Sequence, residues 1–178
     1  YYDANGELHK GWLNTENGYY YLNLSTGKMT VGWEKINNKW YYFQGNGVMA
    51  TGWVKDNGKY YYMLTDGTMH TGWVSIDNVF YYLGDSGAMA TGWVNMHNGW
   101  YYFDPNDGKC TVNSAREIKE SWYMFGSDGK MVTGWQQVDG GYYYFHTDGK
   151  MLTGWLSDGT NSYYMDPANG RMSTGWKQ

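Results

Sequence analysis

The chain has 178 residues, 26 of them Gly, with aromatic side chains at 20% and a formal net charge of −4. Leu and Ile are scarce, which excludes a conventional aliphatic core and leaves stacked rings to supply the buried apolar area. Lys and Arg are spread thinly, which excludes a phosphate-tracking surface and nucleic acid as a partner, and no apolar run is long enough for membrane insertion.

Tyr1-Tyr2-Asp3-Ala4-Asn5-Gly6 opens the chain without a signal-like segment. It reads as the tail of a repeat already under way, so residues 1–10 are assigned to a preceding unit. From there Gly-Trp recurs at Gly11-Trp12, Gly32-Trp33, Gly52-Trp53, Gly72-Trp73, Gly92-Trp93, Gly134-Trp135, Gly154-Trp155 and Gly175-Trp176. The Trp spacings are 21, 20, 20, 20, 42, 20 and 21, and the 42 is a double period. An aromatic cluster begins about seven residues after most of these Trp, as in Trp40-Tyr41-Tyr42-Phe43 and Tyr60-Tyr61-Tyr62. A Gly-X-Met step follows, at Met29, Met49, Met69, Met89, Met131, Met151 and Met172, with Cys110 in the same slot. The whole chain is therefore expected to be a single repeat module. Residues 11–111 hold five regular repeats, 112–133 a degenerate one, 134–174 two more, and 175–178 the start of another.

Each unit is predicted to be a β-hairpin. Aromatic and β-branched stretches suit strands, and Asn37-Asn38, Asn57-Gly58 and Asn98-Gly99 suit tight turns at positive φ. A two-residue turn at Asn37-Asn38 pairs Trp33 with Tyr42 and Lys35 with Trp40. Trp33, Trp40 and Tyr42 then share one face, with Tyr41 and Phe43 on the other. Tyr20, Tyr41, Tyr61, Tyr81, Tyr101 and Tyr143, which face away from the Gly-Trp ring, are assigned to packing. An isolated hairpin is marginal in water, so the units must stack, and the predicted fold is all-β: a β-solenoid of stacked roughly 20-residue β-hairpin repeats.

The second connection carries Asn46-Gly47, Asp66-Gly67, Asp107-Gly108, Asp128-Gly129 or Asp148-Gly149. These pairs lack the alternating acidic ligands of a calcium loop and are read as turns, so no metal is expected. Residues 110–121 break the pattern: by count Asn113 stands where Trp belongs, and two extra residues precede Trp122. That segment is expected to be a longer exposed loop, with the hairpin beyond it still formed. The lone Cys110 excludes an internal disulfide framework and reads as a small apolar filler. His9, His70, His97 and His146 are read as solvated residues in different repeat phases, and no carboxylate pair or nucleophile stands out. The chain itself is expected to be no enzyme and to need no cofactor, although a hydrolase domain could be attached to it.

The pattern Gly-Trp, five or six residues, Trp/Tyr-Tyr-Tyr-Phe, then Gly-X-Met-X-Thr-Gly-Trp resembles the choline-binding repeat family of Gram-positive surface proteins and cell-wall hydrolases, over essentially the whole chain. The resemblance implies a left-handed β-solenoid with ligand sites between consecutive hairpins. Each site would use the Gly-Trp ring, the aromatic seven residues later and an aromatic of the following repeat, closed by a Met. Carried onto this chain, the boxes are Trp12, Tyr19 and Trp40 near Met29; Trp33, Trp40 and Tyr60 near Met49; Trp53, Tyr60 and Phe80 near Met69; and Trp73, Phe80 and Trp100 near Met89. Trp93 and Trp100 with Trp122 form a fifth. Trp135 and Tyr142 start another, where Ser162 stands at the position expected for the third ring. One box should be lost at residues 110–121.

The function this implies is non-catalytic binding of choline or phosphocholine on cell-wall teichoic and lipoteichoic acids. The protein would be secreted and held non-covalently at the cell surface through cation–π contacts. The alternative is a carbohydrate-binding module of the kind found in glucosyltransferases and toxins. The Met recurring beside paired rings favours the cation, because sugars want polar side chains next to the ring.

Overall fold

The computed structural model describes residues 1–2, 5–96 and 99–175. His97 and Asn98 of one expected turn, and Trp176, lie outside the described residues. Strands pair only with their sequence neighbours, as antiparallel hairpins. In the unit Tyr1–Ala90 these are β1 (Gly11–Thr15) with β2 (Gly18–Leu22), β3 (Gly32–Ile36) with β4 (Lys39–Phe43), β5 (Gly52–Asp56) with β6 (Lys59–Met63), and β7 (Gly72–Ile76) with β8 (Val79–Leu83). In the unit Thr91–Gln178 they are β9 (Gly92–Met96) with β10 (Gly99–Phe103), β11 (Ser114–Ile118) with β12 (Ser121–Phe125), β13 (Gly134–Val138) with β14 (Gly141–Phe145), and β15 (Gly154–Ser157) with β16 (Ser162–Met165). Each unit is an all-β solenoid segment of stacked hairpins.

The turn chemistry sets the register. Asn37 and Asn38 have φ of 49° and 65°, and Asp77 and Asn78 have 51° and 63°. Left-handed conformations at both central residues match the twist of the flanking strands. Trp33 then pairs with Tyr42, and Lys35 with Trp40, as the turn requires.

One side chain in each repeat is the most deeply buried, with Tyr21, Ile36, Val54, Ile118 and Tyr123 among those packed around it. The residue opposite the Gly of Gly-Trp, or opposite Ser114 in the β11–β12 hairpin, namely Leu22, Phe43, Met63, Leu83, Phe103, Phe125, Phe145 or Met165, is at most 4% exposed. It also bridges to the Met slot of its own repeat, as in Phe43 to Met49 and Phe125 to Met131. The Met in turn joins neighbours. The Met69 N–H donates to the Trp40 carbonyl at 2.8 Å, and Met131 to Trp100 at 2.7 Å. Its sulfur packs on the turn Gly of the next repeat: Met49 lies on Gly67, Met69 on Gly87, and Met131 on Gly149.

Residues 110–121 are not a loop. β11 pairs with β12 in the register of the other hairpins, and Ala115 lies opposite Met124 where Trp33 lies opposite Tyr42. Ala115, not Asn113, therefore stands in the Trp slot. Asn113 takes the left-handed conformation (φ 43°) that Gly takes elsewhere, and its N–H donates to the Gly126 carbonyl. The turn of this hairpin is Lys119-Glu120, left-handed at both positions (φ 49° and 62°). Neither residue favours that conformation, so the turn carried no local signal. Strand pairing and stacking impose it. Arg116 reinforces the unit: its guanidinium pairs with the Asp104 carboxylate and lies 5.1 Å from the Tyr102 ring centre. That hydrogen bond is the main reason Asp104 is held below the ordinary carboxylate range.

Candidate ligand site

Trp33 shows how a site is assembled. It stands opposite Tyr42 at 5.1 Å between ring centroids, and Trp40 joins the same face at 6.4 Å and 86°. The third ring comes from the next hairpin, where Tyr61 of β6 lies 4.7 Å from Trp33 at 68°. Met69, tied by its N–H to the Trp40 carbonyl, completes the lining with Ser86, and the cavity measures about 350 Å³. Three ring faces at steep angles make a corner that presents negative quadrupole on each side.

The arrangement recurs. Trp53 meets Tyr60 at 6.5 Å and 87° and Tyr81 at 5.1 Å. Trp93 meets Trp100 at 6.3 Å and 85° and Tyr123 at 4.8 Å. Trp12 meets Tyr41 at 5.0 Å, and Trp135 meets Tyr163 at 4.9 Å. Tyr19 and Tyr142 lie on the faces of Trp12 and Trp135 by register.

These rings already attract cations. The Lys35 ammonium sits 5.9 Å from the Trp40 ring centre, and that of Lys55 sits 5.1 Å from Tyr60. Asp56 of the next hairpin accepts the Trp33 indole N–H at 3.2 Å, which orients the ring and adds a carboxylate near the corner. The Tyr41 phenol is pushed up by burial and by Asp66, so it stays neutral well into the alkaline range.

The third ring differs from the one expected. It is Tyr41, Tyr61, Tyr81, Tyr123 or Tyr163, one residue later than Trp40, Tyr60, Phe80, Trp122 or Ser162. Stacked hairpins meet front to back. A ring that reaches the preceding Trp must therefore come from the face opposite its own Gly-Trp, where these Tyr point. These Tyr pack as assigned, Tyr41 against the Phe43 cluster and Tyr61 against the Met63 cluster, and each also meets the Trp of the preceding repeat, while Trp40 lies beside Trp33. Ser162 costs the Trp135 corner nothing, because Tyr163 supplies the ring. The Met also arrives one repeat later. Met49, Met69 and Met89 bond to Tyr19, Trp40 and Tyr60, whereas Met29 bridges Leu22 and packs on Gly47. A signal was available, since this slot is Tyr in every repeat: Tyr20, Tyr41, Tyr61, Tyr81, Tyr101, Tyr123, Tyr143 and Tyr163.

Trp73 and Phe80 lie partly exposed in the first unit with Met89, and Trp100 lies in the second. Trp122 does not complete the Trp93 corner; it faces its own cleft opposite Ala115, with Tyr143 and Met151. His9 and His70 share a phase after all, each ring nitrogen donating to the carbonyl of the Trp three residues on at 2.9 Å. Among the described residues, no three His, Cys, Asp or Glu side chains are grouped to hold a metal.

The sequence profile described as choline-binding repeat matches residues 30–71, 70–114 and 132–176. The chain belongs to the choline-binding repeat family. The stretch between the last two matches is the Ala115 hairpin, the one whose corner lacks its Trp. Solved structures agree. CbpJ of Streptococcus pneumoniae is 31% identical over 97% of this chain and 69% of its own, with a TM-score of 0.87. Choline binding protein F of the same organism is 33% identical over 98% of this chain and 60% of its own, at 0.84. The choline-binding domain of its CbpL is 29% identical over 83% of this chain and 80% of its own, at 0.65. Curated proteins gave no match. As a choline-binding repeat module the chain is a binding unit, and the aromatic corners are its candidate sites.

Proposed function

We propose that the module binds the trimethylammonium group of choline or phosphocholine in its aromatic corners and so holds the protein, with any attached domain, on teichoic and lipoteichoic acids at the bacterial surface. The carrying observation is the Trp33, Trp40, Tyr61 and Met69 corner. A quaternary ammonium has no N–H to donate, so hydrogen-bonding groups discriminate poorly for it. Ring faces suit it, each contributing up to about 2 kcal/mol when desolvated. Three rings give about 4–6 kcal/mol gross, which places a single site near millimolar affinity. A polymer carrying many cholines raises the overall affinity through effective concentration rather than through any single strong contact.

Family membership supports this reading, as does the repetition of the corner at Trp12, Trp53, Trp93 and Trp135. The Trp73 and Phe80 rings of the fourth hairpin are proposed as part of a further site of the same kind. Titration with free choline should change Trp fluorescence in the millimolar range, raise the melting temperature and release the protein from a tertiary-amine resin. Identical melting curves with and without saturating choline would sink the reading. Glucan retention insensitive to choline would assign the rings to sugar instead.

A further inference from the structure

We infer that the Ala115 hairpin carries a second kind of site, a cleft for a pyranose ring of a glycan, in place of the choline corner it has lost. The cleft measures about 880 Å³ against about 350 Å³ at Trp33. Its rings include Trp122 and Tyr143, which stand in the slots of Trp40 and Tyr61, with Met151 in the slot of Met69. Replacing the Gly-Trp ring by Ala115 removes one wall. A three-sided corner suited to a ball-shaped cation becomes a platform with an open flank, and a flat ring ligand needs that flank.

The polar groups change in the same direction. Glu117 lies directly opposite Trp122, where Lys35 lies opposite Trp40 and Lys55 opposite Tyr60. A carboxylate at the rim of the aromatic platform can accept hydrogen bonds from two hydroxyl groups, and hydrogen bonds to a charged acceptor are the stronger kind. Asn169, from the turn after β16, and the Lys150 ammonium, paired with Asp148, line the same cleft. An apolar floor with a few polar groups describes a small-ligand site, and a lining that mixes the carboxylates Glu117 and Glu120 with Asn169, His146 and Lys150 fits a polyhydroxylated ring, whose hydroxyls both donate and accept. At the Trp33 corner the polar groups are fewer: Ser86 in the lining, with Asp56 on the Trp33 indole N–H and Lys35 over Trp40. The inference stands whether or not the regular corners bind choline.

The test is a saccharide titration of the full ¹⁵N-labelled chain with saturating choline present, following the Trp122 indole N–H, assigned by its loss in Trp122→Phe. The probes are the tetramer of N-acetylglucosamine and maltotetraose. The Trp122 signal should move with one of them and remain sensitive in choline, while the Trp33 signal stays still. Ala115→Trp, which rebuilds the missing wall, should abolish the saccharide shift and make Trp122 respond to choline. Glu117→Lys, which installs the residue of the Trp33 and Trp53 hairpins without touching the rings, should weaken saccharide binding by about ten-fold. The inference is overturned if neither saccharide moves Trp122, if Ala115→Trp still binds the saccharide, or if choline displaces it from the wild-type cleft. It is equally overturned if ethanolamine moves Trp122 and both saccharides do not, since the carboxylate would then be reading an ammonium. Choline binding at the regular corners is measured in the same spectra, so failure here and failure of the choline reading are told apart.

Discussion

Asp56 is where the charge of one hairpin fixes the ring of another. Its carboxylate accepts the Trp33 indole N–H at 3.2 Å and the Asn57 amide at 3.0 Å. Four of the other hairpins carry Ile36, Ile76, Ile118 or Val138 in this slot, so Asp56→Ile should be tolerated by the fold. It should lower choline affinity at the Trp33 corner by about three- to ten-fold, the size of one lost hydrogen bond, and leave the other corners unchanged. Calorimetric titration resolving one weakened class of sites would agree; a uniform loss across all sites would not. Trp40→Leu tests the ring assignment in the same way. The stoichiometry should fall by one choline, because Tyr41 and not Trp40 faces Trp12. A fall of two would restore the shared-ring arrangement. At Cys110 burial alone pushes the thiol up to about 11, so little thiolate exists near neutrality. Alkylation at pH 8 should be slow in the native protein and fast in urea. Equal rates would place the thiol in solvent rather than under Gly129, where it packs.

At the scale of the element, the hairpins were legible because turn chemistry and side-chain alternation suffice to fix them. Asn37-Asn38 dictates the two-residue turn, and the turn dictates that Trp33 and Trp40 share a face. The third ring was not legible by that route. Alternation within one hairpin says which face a Tyr is on, but only stacking says which face meets the neighbour. Lys119-Glu120 was hidden for another reason, since a turn imposed by its strands leaves no mark in its own residues. What joins the elements is equally specific. Gly67 has φ of 80°, and a Cβ there would overlap the Met49 sulfur. Gly67→Ala should therefore destabilise the first unit by about 2 kcal/mol or more, the left-handed penalty plus the displaced Met, read as a lowered denaturant midpoint. Gly52→Ala has a similar φ of 72° and no contact within 4 Å, so it isolates the backbone part. Equal losses at the two positions would remove the Met from the account. The turn carboxylates supply the acid response. Asp66, Asp128 and Asp148 are held below the ordinary range mainly by hydrogen bonds from Thr68, Lys130 and Lys150. A depressed native pKa means stability that is complete above the unfolded value, about 4, and lost as pH falls below it. Melting temperature should be level from pH 5 to 8 and drop under pH 4.

For the molecule as a whole, stability and ligand binding are sums over neighbours, because each hairpin is a two-stranded sheet that pairs with no other hairpin in the ladder sense. A ligand lodged in a corner touches two consecutive hairpins, so it must stabilise their interface. At a free choline concentration ten times the dissociation constant, each filled site adds about 1.4 kcal/mol to the unit that holds it. Saturation should count one choline for each of Trp12, Trp33, Trp53, Trp73, Trp93 and Trp135, and none at Ala115. The distribution matters more than the total. In the unit Tyr1–Ala90 the corners at Trp12, Trp33 and Trp53 follow one another without a break. In the unit Thr91–Gln178 the cleft at Ala115 separates those at Trp93 and Trp135. Choline should therefore protect amide hydrogens of β1 to β8 from exchange more uniformly than those of β9 to β16. In the second unit, the interface between the β11–β12 and β13–β14 hairpins should gain least. Hydrogen exchange with and without saturating choline reads this directly through the Met151 N–H, which donates to the Trp122 carbonyl across that interface, against the Met69 N–H on Trp40. Slowing at Met69 with little change at Met151 is the expected result. Equal slowing at both would mean that choline fills the Ala115 cleft as readily as a complete corner.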